Sequence, residues 1–576
     1  MAAGTITLGL CLSLLWWLYR PMGDWLRSPL YYEGDGLWNL FVVKTVIENG
    51  WYGANPMLGA PYGAQLLDFA KPELLFLAFH RLAGVFTHDV ALIHNLFYLL
   101  GFACVALSAL MVLRDGFRLH WPLAVAGALL YAFLPYHFVR LPHMFLSNYL
   151  AVPVAVWLVL RVAGERPPFL ERGHWGPSSW RVWLACAVVA STSIYYAFFG
   201  LVLVAATGLM ESLRRAVWQP LKSATATCLL VGGLVVLNLA PTLLYQHREG
   251  PNPAVAGRDV RELDLYALQP VQLLLPSGRH RAAPLAGITH RYNAQALNIN
   301  ENTASALGML GSAGFLALLI GLLVAHPLLN AMPPLGVAAR ANAVALALAV
   351  TGGGGMLLAL LVSPQFRALN RISVVIAFLA LAALLMIVQH GVQRRAARVL
   401  AAALLLPLGL WDQVPAAVAP QRQATVAAYK ADRHFVRRLE AIVPQGSAIL
   451  QWPHVGFPEA PQLHQEGHYA HLRGYLHSTH LRWSYGGMVG RESDLWLRQL
   501  ATLPVQDMAR AAADRGFAGI WLNRRALPDG GAATAAALRS IGVVRTLDNA
   551  DRSIAFFSLK PLVQPTRDHD LTQPTP

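Results

Sequence analysis

The chain has 576 residues, 56% of them hydrophobic and 13% charged, with a formal net charge of +15 and a mean hydropathy of +0.44. Such a composition excludes a water-soluble globule of ordinary make-up and points to a polytopic membrane protein. The positive charge is mostly Arg in short loops between apolar stretches, where it sets topology, so no nucleic-acid partner is expected. The cysteines Cys11, Cys104, Cys186 and Cys228 all lie in apolar stretches without metal-ligand spacing, and neither a disulfide nor a zinc site is expected of them.

The N-terminal stretch lacks a basic start and a small-residue cleavage site, which predicts a retained helix. At roughly 20 apolar residues per crossing, eleven spans are predicted. They lie near 5–20, 91–113, 121–139, 145–162, 181–195, 196–213, 224–245, 305–325, 341–362, 372–391 and 398–412. The apolar run 180–213 is split because its centre, STSIYYAFFG, carries the polar residues of a hairpin. Lys and Arg in short loops stay cytoplasmic. Arg114 and Arg118, then Arg161, Arg166, Arg172 and Arg181, then Arg214, Arg215 and Lys222, then Arg340, then Arg394, Arg395 and Arg398 mark those loops. The N-terminus is therefore expected inside. The stretch 21–90, the loop 246–304 and everything past about residue 412 are expected outside.

The stretch 21–90 is too long to be a plain connection. Within it, 37–47 is predicted to be a helix lying in the membrane interface, and Pro72 to open a second at its first position. Tyr31 and Tyr32 suit an interfacial collar. The run Gly352–Gly355 falls inside an apolar span and is read as helix packing. Beyond residue 412 helical and extended patterns alternate. Helices are predicted at 425–442, 493–502, 505–515 and 532–541, and strands at 447–453, 519–523, 543–547 and 554–559. The chain is thus read as mainly α, a polytopic membrane protein with about 11 transmembrane helices, interfacial helices in the first outer loop and a small C-terminal α/β extracytoplasmic domain. The domains are 1–412, 413–562 and a disordered Pro/Thr/Asp-rich tail, 563–576.

Five outward features supply chemistry, and they are expected to converge on one site. The first is Glu33-Gly34-Asp35, two carboxylates directly after the first span; an ionisable pair at that level marks function, though Asp35 would equally serve as a helix cap. The second is Asp68, Lys71 and Glu73, and the third is His137, Arg140 and His143 in LPYHFVRLPHM. The fourth, Arg367 and Arg371, offers planar donors four residues apart for an anion, unless each is an interface anchor. The fifth is Glu301 and Asn302 in NINEN, and Tyr195 and Tyr196 suit sugar or lipid contacts. A carboxylate acting as base on an acceptor hydroxyl, with cations holding a phosphate leaving group, is the reaction these suggest. No phosphate-cradling glycine loop is present in the sequence, so a soluble nucleotide donor is not expected.

The pair Glu33-Gly34-Asp35 after the first span resembles the acidic ExD-type motif of GT-C integral-membrane glycosyltransferases. The stretches GWYGANPMLGAPYG, LPYHFVRLPHMFLSNY and QFRALNRIS resemble uncharacterised bacterial membrane proteins often grouped with them. The resemblance implies a multi-pass inner (plasma) membrane enzyme with a periplasmic C-terminal domain. It would move a sugar from a polyprenyl-phosphate donor to an envelope glycan, lipid or protein, with inversion. Asp35 would be the base and Glu33 its helper, or a ligand of a divalent cation, Mg²⁺ or Mn²⁺; the class leaves the metal open. Lys71, Glu73, His137, Arg140, His143, Glu301, Asn302, Arg367 and Arg371 would serve substrate binding. Two other readings stand beside this one: a transporter or flippase of lipid-linked glycans, and a non-catalytic envelope-assembly protein. In the stretch from 454 to 480, six histidines invite a metal reading, with His464 and His468 able to share a helix face; polar surface or acceptor contact is the expected role.

Overall fold

The computed structural model describes residues 2–22, 26–171, 174–255 and 257–562; Arg172 and the tail 563–576, expected to be disordered, lie outside them. Among the described residues, eight helical segments are long and apolar enough to cross a membrane: Ala2–Met22, Val90–Asp115, Trp121–Val139, Leu141–Val162, Ile194–Arg215, Gln219–Glu249, Leu369–Gly391 and Arg395–Gln413. They match eight of the eleven predicted spans. The other three are shorter. Trp180–Ser191 and Gly308–Leu323 stand where 181–195 and 305–325 were expected. The span 341–362 does not form, because Pro333–Ala349 ends and a new helix, Gly354–Leu361, starts after a turn in which Gly352 takes φ +66. That glycine run therefore breaks a helix, and it also packs: a Cβ at Gly355 would collide with Leu369 Cδ1.

Local signals explain the ends that matter for the site. Asp89 caps Val90–Asp115 by accepting from Leu92 N–H at 3.0 Å. Pro135 and Pro142 stop any continuous helix through 133–144, leaving Trp121–Ala132, then the short pieces Pro135–Val139, Leu141–His143 and Met144–Ser147. The break between Trp180–Ser191 and Ile194–Arg215 falls where the polar centre placed it, and Tyr195 and Tyr196 enter the first turn of the second helix. Small residues let helices meet backbone to backbone: Gly314 lies against the Ala380 carbonyl, leaving no room for a Cβ.

Contacts divide the chain into two units. One comprises Met1–Tyr31, Lys71–Leu243 and Gly257–Arg422; the other comprises Tyr32–Ala70, Leu244–Ala256 and the chain from Gln423 on. Where the sequence divides the chain near residue 412, contacts group Tyr32–Ala70 with the C-terminal part. The second unit holds a five-stranded sheet of β1 (Ala448–Trp452), β2 (Arg482–Trp483), β3 (Phe517–Asn523), β4 (Arg545–Asp548) and β5 (Ile554–Ser558), in the order β2-β1-β3-β5-β4. β1 runs parallel to β2 and β3, while β5 is antiparallel to β3 and β4. The two-residue β2 and the helix Leu472–His477 carried too little pattern to be predicted.

The helix predicted at 37–47 exists as Asp35–Asn49, but it does not lie in an interface: every residue from Gly36 to Ile47 is buried. Trp38 packs on Phe69, Phe457 and Tyr469 with centroids 5.3, 5.4 and 5.4 Å away, and Phe41 on Phe457 and Tyr475 at 5.6 and 6.2 Å. Lys44 is buried too, donating to Glu48 at 2.6 Å and to the Ser478 carbonyl at 3.0 Å. Tyr32 likewise is no collar. Its ring is buried, and its hydroxyl donates to Asp432 at 3.0 Å. The segment after the helix covers the β2 edge of the sheet: Ala60 N–H donates to Trp483 O at 2.9 Å and Trp483 N–H to Met57 O at 2.8 Å. Asp68 fixes Arg491 with two bonds of 2.8 Å, and Arg491 also donates to the Glu249 and Gly250 carbonyls. Asp68 is therefore a tether. The helix expected to open at Pro72 starts at Leu74.

Candidate active site

Glu33 and Asp35 are set by a glycine. Gly34 takes the N-cap position at φ +46, a conformation that strains an L side chain and costs glycine little. Asp35 is the first helical residue, so the reading of Asp35 as the cap is corrected: Gly34 stands there, without a side-chain capping bond. Backbone bonds close the turn, Gly36 N–H to Glu33 O at 2.9 Å and Leu37 N–H to Gly34 O at 3.0 Å. Glu33 is exposed and Asp35 half-buried. A negative charge in the first turn is favoured by the positive end of the helix dipole.

In the membrane unit, several of the other predicted residues come together around one carboxylate. Glu301 accepts from Arg371 at 3.0 and 2.9 Å and pairs with Arg140 at 2.7 Å. Burial alone would push the Glu301 carboxyl up, but the guanidinium groups of Arg371 and Arg140 outweigh it and hold the carboxyl well below the usual range, with His143 adding to the effect. Arg371 lies over the Tyr195 ring at 4.4 Å and Arg140 over Tyr136 at 5.2 Å. Tyr136 and Tyr196 share a hydroxyl contact of 3.2 Å, and Tyr196 donates to the Leu146 carbonyl. Lys71 sits beside the neighbouring residue, 4.6 Å over Phe145, and 3.9 Å from Glu73. Two guanidinium groups on one carboxylate leave a positive charge in excess, which suits an anionic group.

Three predicted residues stand apart. Arg367 pairs with Glu262 and lies over Tyr266 at 5.0 Å, so Arg367 and Arg371 serve different carboxylates and do not form a joint fork. Asn302 is 0% exposed and holds the backbone, donating to Ala267 O at 2.8 Å and accepting from Gln269 N–H at 3.0 Å. His137 is also 0% exposed and stacks on Phe102 with centroids 3.4 Å apart. Sequence reasoning missed Tyr136 and Glu262. Tyr136 adjoins His137 in the quoted turn, whereas nothing in RELDL pointed from Glu262 to Arg367.

Glu33 and Asp35 are the oxygen donors here that could hold a divalent cation such as Mg²⁺. Among the described residues no group of three or more His, Cys, Asp or Glu forms a cage. The histidine-rich stretch is mostly turn, with His464 at φ +47, so His464 and His468 do not share a helix. Four of its histidines have other partners: His454 meets Asp494 at 3.1 Å, His471 meets Glu466 at 2.5 Å, His477 meets the Tyr32 hydroxyl at 2.9 Å, and His480 faces Glu440 at 3.6 Å.

No protein-family model matches the chain, and no curated protein matches it. Solved structures are similar to it in fold. One is the arabinofuranosyltransferase AftD from Mycobacteria, at 13% identity and a TM-score of 0.47, covering 97% of this chain; this chain spans 39% of that one. A second is ArnT from Cupriavidus metallidurans in the apo state, at 13% identity and a TM-score of 0.46, covering 98% of this chain and 99% of its own. A third is the Archaeoglobus fulgidus oligosaccharyltransferase in complex with Zn and sulfate, at 12% identity and a TM-score of 0.44, covering 91% of this chain and 68% of its own. At these identities and TM-scores below 0.5 the likeness carries nothing about this chain's activity, ligands or partners.

Two outcomes are expected. Replacing Glu301 by Gln strands two largely buried arginines, at a cost of about 3 kcal/mol; denaturant unfolding in detergent measures it, and adding Arg140→Gln recovers part of the loss. For His471, burial alone would lower the imidazole, but Glu466 overrides it and raises the pKa above its ordinary 6.5. A raised pKa stabilises the fold fully below 6.5 and less as pH climbs through the shifted value. The unfolding-temperature gap between wild type and His471→Gln should therefore be widest at pH 6 and narrow steadily at alkaline pH.

Proposed function

We propose that the chain is a bacterial inner-membrane glycosyltransferase that moves a sugar from a polyprenyl-phosphate donor to an envelope glycan, lipid or protein on the outer face. Its N-terminus would be cytoplasmic and its α/β unit periplasmic. The observation that carries the reading is the acidic pair, held by Gly34 at the start of a buried helix and following the first membrane helix in sequence. A carboxylate fixed on a rigid element is what a general base requires.

In the proposed reaction Asp35 takes the proton of the acceptor hydroxyl as its oxygen attacks the anomeric carbon. The bond from that carbon to the lipid phosphate oxygen breaks, the configuration inverts, and polyprenyl phosphate leaves. Glu33 assists or helps hold a divalent cation, which when bound would offset phosphate charge. Arg140 and Arg371, with Lys71 as a third cation, are the proposed holders of the donor phosphate; Tyr195 and Tyr196 are proposed for sugar or lipid contact. A lipid leaving group explains why such chemistry is built into a membrane protein at all. Transport of the same lipid would call for ionisable groups at mid-span. In the eight long helices every Asp, Glu, Lys and Arg lies near an end.

The test is the envelope glycan profile, by mass spectrometry, of the native host with wild type, a deletion, or Asp35→Asn at matched membrane abundance. The deletion and Asp35→Asn are expected to lose the same sugar, with the lipid-linked donor accumulating. A change in the deletion alone would favour an assembly or transport role.

A further inference from the structure

A cavity of about 510 Å³ opens in the α/β unit. It lies outside the carboxyl ends of the parallel strands β1 and β3. Asn523, the last residue of β3, lines it, as do the segment between Gln462 and Arg473 that follows β1 and the turn between Asn549 and Ser553 that leads into β5. In open α/β sheets the crevice beyond the carboxyl ends of the strands is where ligands bind. The cavity also reaches the acidic motif, because Glu33, Gly34 and Leu37 form part of its wall.

Its lining selects a ligand class. Glu33, Asp432, Glu466 and Asp551 supply four carboxylates against the guanidinium groups of Arg473 and Arg525. Those cations are already engaged, Arg473 with Asp432 at 3.0 Å and Arg525 with Asp551 at 2.6 Å. Glu466 is matched in turn by His471, and a phosphate or other anion would still meet one net negative charge. Asp432, Glu466 and Asn523 are each more than nine-tenths buried yet form part of the wall. Asp432 accepts from Tyr32 and Arg473 through the same oxygen, Oδ2. Gln462 and Gln465 add planar amides, and alanines on the face of the helix Arg422–Ile442 give a smooth apolar floor. Carboxylates and amides over small apolar residues offer many acceptors and donors to hydroxyl groups, with room for the CH face of a sugar ring.

We infer that this cavity is a binding site for a hydroxyl-rich glycan without negative charge, neutral or amino-bearing, and that it seats the acceptor sugar. Only the word acceptor rests on the transferase reading; the binding site stands on the cavity itself. A glycan seated there lies against Glu33, two residues from the proposed base.

The experiment is saturation-transfer NMR on the full-length protein in detergent micelles with maltotriose, the trisaccharide of glucosamine, and inorganic phosphate as probes. Wild type, Asp35→Asn, Ala427→Trp and Ala550→Trp are compared. Ala427 and Ala550 are exposed wall positions on two different elements, the helix Arg422–Ile442 and the turn before β5, so a bulky side chain at either fills the cavity without disturbing the core. The expected result is signal from at least one trisaccharide on wild type and on Asp35→Asn, lost in both tryptophan variants whose unfolding temperatures are unchanged, with phosphate neither binding nor competing. Absence of signal from both sugars, equal signal in the tryptophan variants, or competition by phosphate overturns the site. If the site is seen but Asp35→Asn leaves the host's glycan profile intact, the transferase reading fails and the glycan site stands. If transfer depends on Asp35 and neither sugar binds, the site fails and the transferase reading stands.

Discussion

The structure of the α/β unit depends on the burial of one helix. Asp35–Asn49 carries Trp38 and Phe41 into an aromatic cluster with Phe69, Phe457, Tyr469 and Tyr475. Burying a side chain of this size contributes on the order of 1.5–3 kcal/mol, so the two rings outweigh the strain that any single turn in the segment imposes. Because Gly36–Ile47 is buried along its whole length, the helix cannot roll to present another face. Its first turn, which holds Asp35, is fixed as a result, with Glu33 just before the N-cap. An acidic pair on a mobile loop would have to be ordered by substrate; here the fold has done the ordering.

The membrane unit works by charge pairing. Its cations are arranged on carboxylates: the largely buried Arg140 and Arg371 on Glu301, the part-exposed Arg367 on Glu262, and the exposed Arg214 with the part-exposed Arg215 and Arg340 on the buried Glu211. Buried pairs of this kind add little net stability but make loss of one partner costly, and so they specify where a guanidinium sits. Tyrosines lie under both arginines of the Glu301 cluster, as Tyr266 lies under Arg367. Unlike the Glu262 pair, the Glu301 cluster carries two guanidinium groups on one carboxylate and so one surplus positive charge.

Much of the fold was legible because its signals are local. Apolar length located the eight long helices, and the short strand-like runs AILQW and GIWLN located β1 and β3. The split near Ser193 was visible as a polar interruption. What stayed hidden was long-range. The apolar run 37–47 looks the same in sequence whether it faces lipid headgroups or an aromatic core, and only the distant Phe457 and Tyr475 decide. The span 341–362 failed because Gly352 adopts a positive φ, a state that hydropathy does not register. At the candidate site, Arg140, Glu301 and Arg371 were expected among features converging on one site, and the structure brings these three together as ion pairs. Residue types gave no hint that Arg367 would turn to Glu262, or that Asn302 would hold its own backbone.

The central claim is that Asp35 acts as a base in sugar transfer from a lipid phosphate. It is tested most directly with purified full-length protein in liposomes supplied with lipid-linked sugars and an envelope extract from the native host, by following release of free polyprenyl phosphate. The account predicts steady release by wild type and none above background by Asp35→Asn of equal unfolding temperature. Equal release by both, or none by either, would contradict it.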